Sequence, residues 1–392
     1  RPAMVAPSFI KGDVSRAPTP DALRAFTYRR GTISLGHPAK DHYAAGMDTP
    51  VSRGPSRRLR WSWLLLALSI LLFVLGQAFP GILERTYGPL FPLIAGLQAG
   101  LLSWVPISVS EMALVGLLVL GAFWLKRGLR AFLLGIAWLL PLLGGLGILL
   151  WGLNHGRPPI SERLGWSLGT PGENALADLV GELVGELNGL EGSFPEQALK
   201  PESRDWEQSL TPAFDGQAQQ WNWLRGPKVR VRTPLAEGLL ARLGIAGVYS
   251  PWTGEAHLEG SLPAPLVWHT AAHEAAHQRG IAREGEANFI AWMVLKDAPD
   301  PAARYSARFV LLGQAIRALH GQNPERALEL IQAMEPALQD RRARVRDYWR
   351  QRLGVLSKVS HRVNDTYLKA AGHEQGIQSY GLVLDLVLAE RR

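Results

Sequence analysis

Between Trp268 and Phe289 the chain reads WHTAAHEAAHQRGIAREGEANF, and the rest of the protein has to be understood around this stretch. His273 and His277 lie at i and i+4 with Glu274 directly after the first. On a helix that spacing puts both imidazoles on one face, where they can share a metal ion. Zn²⁺ lowers the pKa of a water beside it to about 7, and Glu274 is placed to take the proton as general base. Ala271, Ala272, Ala275 and Ala276 let neighbouring structure come close to such a helix. An alanine-rich helix can also spell this pentapeptide by accident, so the reading needs a third ligand.

Gly280 stands where a left-handed cap would end the helix, and AREGEANFIAWMVLK opens another. In it Glu284 and Asn288 share a face with Ala287, while Glu286 is turned about 200° away from Glu284. Glu284 is therefore expected as the third ligand, with Glu286 the alternative. The acid left over is expected at the surface, solvated or salt-bridged. Asn288 is placed to hydrogen-bond a ligand histidine from behind. His269 shares the face of His273, but on a straight helix it stands ~12 Å from His277, too far for both to hold one small ion. It is expected to be a neighbouring polar or first-turn residue.

Working outward, the 392 residues contain no cysteine, so disulfides and thiolate sites are excluded. The net charge of +8 is local: residues 1–60 carry eleven Lys or Arg against four Asp or Glu, and the remainder is near neutral. A basic tail rather than a basic groove argues against a nucleic-acid partner. The tail is rich in Pro, Ser, Gly and Ala and is expected to be disordered. Met47, ahead of a basic flank, is the expected start, with residues 1–46 upstream or dispensable.

Three apolar runs follow, at about 61–79, 108–125 and 131–153. The first, nineteen residues without a charge, covers ~28 Å as a helix, about one hydrocarbon core. The stretch between the first two, GPLFPLIAGLQAGLLSWVP, is amphipathic and bounded by prolines and is expected as an interfacial or re-entrant helix. Arg57, Arg58 and Arg60 precede the first run, and Lys126, Arg127 and Arg130 separate the last two. Basic flanks stay in the cytoplasm, so three crossings put everything after Leu153 outside it. The lipid bilayer is an expected partner.

Beyond the runs, helices are expected over Pro171–Leu190, Leu235–Leu243, Ala302–Leu319, Pro324–Leu338 and Asp340–Leu353, with a last pair near the C-terminus. A strand is expected at Lys228–Arg232. YSPWTGEAHL, before the histidine helix, could supply an edge strand for an extended peptide or a structural strand. Tyr367, Tyr380 and Arg362 are candidates to donate to a developing oxyanion. Arg341, Arg342, Arg344, Arg346, Arg350 and Arg352 form a basic helix expected to present a solvated face.

The histidine stretch resembles gluzincin-type zinc metallopeptidases, in which a glutamate within E-x-x-[AS]-[DN] on a later helix completes H-E-x-x-H. EGEAN fits that pattern from Glu284 to Asn288, although only six residues separate His277 from Glu284, fewer than in thermolysin-like enzymes. HEAAHQRG also matches the metzincin turn, but Arg283 stands where their next histidine falls. Over about residues 60–390 the chain is similar to the bacterial membrane family known as domain of unknown function 3810, through WGLNHGRPPISERLG, YSPWTGEA, HEAAHQRGIAREGEANF, DTYLK and SYG. The resemblance implies a membrane-anchored, zincin-like domain.

The expected fold is mainly α. A disordered tail (1–60) and three N-terminal transmembrane helices (61–153) precede an α+β, mostly helical zincin-like domain (154–392). The expected protein is a multi-pass zinc metallopeptidase of the bacterial inner membrane with its catalytic domain extracytoplasmic. His273, His277 and Glu284 bind Zn²⁺, Glu274 is the base, and a peptide, protein or cell-wall peptide is the substrate. The alternative is an inactive zinc-stabilised module that binds an envelope component or protein partner.

Overall fold

Helix α1 (Arg57–Ala78) takes Arg57, Arg58 and Arg60 into its first turns, so these residues belong to the helix and not to the tail. The computed structural model describes residues 57–102, 104–194, 204–370 and 382–392, all within the unit 54–392. The rest of the expected tail, Met47 and Tyr380 lie outside the described residues. Among the described residues three helices are long and apolar enough to cross a membrane: α1, α3 (Val109–Lys126) and α4 (Leu129–Leu150). The last stops three residues short of its expected end, where the chain tightens into a 3₁₀ turn over Gly152–Gly156.

Contacts set the direction of these helices. Gly145 of α4 lies against Leu65 and Leu66 of α1, and Gly156 against Gly76 and Gln77, so α1 and α4 run parallel. A Cβ on Gly145 would come 3.0 Å from Leu65 Cγ, and its absence lets the two helices approach. α3 packs on α4 and joins it through Arg127 and Gly128, whose φ of 104° suits glycine and allows the sharp reversal. The basic residues of α1 and of the α3–α4 turn therefore share one end of the bundle. Helix α2 (Pro80–Leu102) links α1 to α3 at the other end. Its Tyr87, Phe91 and Ala95 are buried, and its Leu90, Leu93, Leu97 and Leu101 are exposed.

The remaining chain is mostly helical: α5 (Ile160–Leu164), α6 (Glu173–Leu190), α7 (Trp206–Gln220), α8 (Leu239–Arg242), α9 (Ala264–Gln278), α10 (Glu284–Leu295), α11 (Pro301–Gln322), α12 (Pro324–Gln332), α13 (Pro336–Arg352), α14 (Val355–Ala370) and α15 (Leu382–Glu390). Strands β1 (Val231–Arg232), β2 (Gly247–Tyr249) and β3 (Ala256–Leu258) form one sheet in the order β1-β3-β2. β1 is parallel to β3, and β2 is antiparallel to it. Helix α9 runs through the core between β3, α10 and α11, with Ala271, Ala272, Ala275 and Ala276 fully buried. The stripe of α6, Leu176, Leu179, Val180, Leu183 and Leu187, faces α11 as its spacing requires. Each such leucine gains about 1.5–3 kcal/mol by leaving water.

Several expected elements are shorter, for local reasons. KVRVR pairs only at Val231 and Arg232, because the Gln278 side chain occupies both main-chain groups of Arg230. The Leu235–Leu243 helix reduces to α8, preceded by Gly238 at φ 77°. Pro324–Leu338 breaks into α12 and α13 because Pro336 begins a new helix and keeps Glu335 extended. Arg341 is not part of a solvated face: it is buried and bonds Glu191, which also accepts from the Tyr305 hydroxyl.

Candidate metal centre

The two histidines are presented by the last turns of α9, which ends at Gly280 with φ 85°, as the capping pattern requires. Glu284 opens α10, where the helix N-terminus favours a negative charge. The cap loop folds α10 back on α9 and brings the carboxylate to the imidazoles. His273 Nε2 is 3.2 Å from His277 Nε2 and 3.1 Å from Glu284 Oε2, and the other Glu284 oxygen is 3.8 Å from His277 Nε2.

The outer nitrogens fix the tautomers. His273 Nδ1 donates to Asn288 Oδ1 at 3.1 Å, and His277 Nδ1 donates to the Ile281 carbonyl at 2.6 Å. In the neutral rings both Nε2 atoms then carry lone pairs, and these point at each other beside a carboxylate. A single proton on His273 Nε2 can serve Glu284 or His277, not both. One cation at the point of convergence could satisfy all three donors, which lie within 4.8 Å of one another. Four-coordinate zinc with bonds of ~2.0–2.1 Å separates neighbouring ligand atoms by about 3.3–3.4 Å. The spacings found here fit that requirement, and Asn288 stands behind His273 as expected.

Glu274 is buried beside the pair, and its Oε2 has no hydrogen-bond partner among the described residues. Burial pushes its carboxyl up to about 8, with His273 drawing it down and Glu284 adding to the rise. Burial would lower His273, but the hydrogen bond and charge of Glu284 outweigh it and hold the ring above its ordinary value. Burial takes His277 down to about 4, Glu284 opposing the fall. Gly247 of β2 crosses directly over Glu274, and a Cβ there would lie 2.7 Å from Glu274 Cγ and Oε1.

Glu286 is not a surface residue. It is buried, accepts the Ile160 N–H at 2.8 Å and lies 3.7 Å from Arg283. It thereby ties α10 to α5 and, as its position on the helix implies, faces away from the histidines. His269 is mid-helix rather than first-turn, because α9 begins at Ala264. It is buried and stacks on His273 with centroids 6.4 Å apart, outside the His273–His277–Glu284 group. Burial and His273 pull it down to about 3, so it stays neutral.

The wall of the centre comes from residues outside the histidine motif, of which only Tyr367 is a candidate by sequence. Trp151, the first residue past α4, sets its ring edge-on to His277 at 5.8 Å and packs on Tyr249 at 4.7 Å. His155 bonds the Tyr367 hydroxyl at 3.0 Å, which brings Tyr367 of α14 to this wall. Burial raises the Tyr367 phenol, a bond with Trp151 opposes the rise, and the charge of nearby Glu284 adds to it. Arg157 is fully buried with bonds of 2.7 and 2.9 Å to Glu84 of α2, and Arg283 donates to the carbonyls of His155 and Arg157. The signal for these roles was the dense WGLNHGRPPISERLG segment, whose polar residues close to an apolar run needed buried partners.

This chain combines a mainly helical fold, three helices fit to cross a membrane, and a His-His-Glu cluster on two packed helices. Residues 87–388 match the family model described as Protein of unknown function (DUF3810), and the chain belongs to that family. No curated protein and no solved structure matches it.

Proposed function

We propose that this protein is a membrane-anchored zinc metallopeptidase. The observation that carries the reading is the convergence of His273, His277 and Glu284 at zinc-ligand spacing beside the buried, unpartnered oxygen of Glu274. A bound Zn²⁺ would supply Lewis-acid polarisation of a peptide carbonyl and acidify water near it. Glu274, raised by burial, takes the proton of the attacking water and passes it to the leaving amine. Asn288 and the Ile281 carbonyl hold the imidazoles in the tautomers that expose Nε2. Tyr367 is proposed as a donor to the developing oxyanion.

β2 supports a peptide substrate. Ala246, Val248 and Ser250 spend their main-chain bonds on β3, so Gly247 and Tyr249 turn theirs to the outer edge. An extended peptide pairing there runs past Glu274. The clustering of basic residues at the end of the bundle away from the centre supports an extracytoplasmic catalytic domain in the inner membrane, by the positive-inside rule.

The test is Glu274→Gln in the full chain. A peptidase keeps its zinc and loses turnover by on the order of 10²–10⁴. A zinc-stabilised binding module would keep both its metal and its partner affinity, and unchanged behaviour in this variant would sink the peptidase reading.

A further inference from the structure

We infer that the centre is held at the bilayer surface by α2, and that its substrates are peptide segments anchored in the same membrane; this rests on the peptidase reading above. The C-terminal end of α1 meets the 3₁₀ turn that follows α4, Gly76 against Gly156, and the N-terminus of α3 is bonded to the domain on this side through Glu255. α2 therefore starts and finishes on one side of the bilayer and lies along it. Its inner face is fastened to the domain: Tyr87 donates to the Leu149 carbonyl, Gln98 donates to the Pro251 carbonyl, and Phe91 packs on Trp151. Its outer face is apolar, with Leu93, Leu97 and Leu101 each at least 60% exposed. That face continues the apolar sides of the membrane helices, so the occupant that suits it is the acyl and headgroup boundary of the same bilayer. Trp252, 51% exposed, fastens the domain to the last two turns of α4, with its indole N–H on the Leu143 carbonyl and its ring against Gly147.

The depth of the centre follows. Lys126, Arg127 and Arg130 mark one boundary of the hydrocarbon core, and ~20 residues of α4 cross its ~30 Å. The opposite boundary then falls close to Trp151, whose ring touches His277. Phe91 of α2 lies under Gly280, where a Cβ would meet it at 2.7 Å, so one helix about 10 Å thick separates the end of α9 from the acyl chains. The headgroup layer is itself roughly 5–8 Å deep. A chain emerging from the bilayer reaches β2 within a few residues, whereas a soluble peptide gains nothing from the tether. Sharing one membrane raises the effective concentration of an anchored substrate.

The chain has no cysteine, so single nitroxide labels report depth cleanly. Leu97→Cys on α2, Val248→Cys on β2 and Leu328→Cys on α12 are placed in the full chain in phosphatidylcholine–phosphatidylglycerol vesicles. Collision with oxygen and with a water-soluble nickel chelate is then measured. We expect Leu97 in the acyl region, Val248 at headgroup depth and Leu328, on a helix packed against α6 and α11, in water. Equal nickel access at Val248 and Leu328 would overturn the placement. In the second arm a quenched fluorogenic peptide is presented free or on a transmembrane anchor, and the anchored form should be cut on the order of a hundredfold faster. Equal rates would overturn the substrate class. Cleavage of neither by zinc-loaded protein would overturn the peptidase reading, while the depth profile still judges the placement separately.

Discussion

The Nε2 atoms of His273 and His277 face each other across 3.2 Å while the Nδ1 of each ring is committed elsewhere, one to Asn288 and the other to the Ile281 carbonyl. Two lone pairs and a carboxylate converge on one point, which is unfavourable until a positive charge occupies it. This relationship, more than the motif, makes the cluster a candidate metal centre.

The two acids of EGEAN should separate cleanly. Glu284→Ala removes a converging donor and should abolish stoichiometric zinc in the purified full chain. Glu286→Ala should keep zinc but lower the Tm, because it leaves the buried Ile160 N–H unsatisfied at a cost of about 1–3 kcal/mol. Metal analysis beside thermal denaturation checks both, and zinc loss from the Glu286 variant alone would reverse the assignment.

Asn288→Ala should weaken zinc binding by about 10–100-fold while leaving the fold intact, because His273 loses the group that orients it. Competition against a chromogenic chelator gives the number directly.

Gly247→Ala should leave zinc in place and lower peptide turnover by on the order of a hundredfold. The added methyl would meet the Glu274 carboxylate at 2.7 Å and the His257 carbonyl oxygen at 2.9 Å, and only the carboxylate can give way. An unchanged rate with intact fold would show that Glu274 is not held by β2.

Glu84→Ala should cost about 3–5 kcal/mol, because it strands the Arg157 guanidinium in the interior. Replacing both partners, with Glu84→Leu and Arg157→Met, should recover part of that loss. Detergent-solubilised thermal melts of the parent chain and the two variants test it.

Glu255 sets an acid limit on the joint between the sheet and α3. Burial would raise its carboxyl, but bonds from Ser110 and from the Val109 N–H, with the charge of His257, outweigh this and hold it below the ordinary 4.5. The unfolded chain takes up this proton at higher pH than the folded one. The resulting stabilisation is present in full above 4.5 and is lost as the pH falls through the folded value. The Tm should drop over that acid range, and Glu255→Gln should be less stable near neutrality with a flatter acid dependence.

Periodicity and motif spacing in the sequence alone determined the apolar helices, the stripe of α6, the helix pair bearing the candidate metal ligands, and the preference for Glu284. These are local properties, since 3.6 residues per turn decides which side chains share a face. α7 was not anticipated: Trp206, Leu210, Phe214 and Ala218 recur at four-residue steps, but polar surroundings hid the stripe. Only the tertiary structure decided the rest. It buried Glu286 and Arg341, whose charges suggested surface until Ile160 and Glu191 supplied their partners. It placed Trp151 against His277 and Phe91 beneath Gly280, joining residues more than a hundred positions apart. Such contacts depend on which apolar faces remain to be covered after every helix has formed, and no local pattern records that choice.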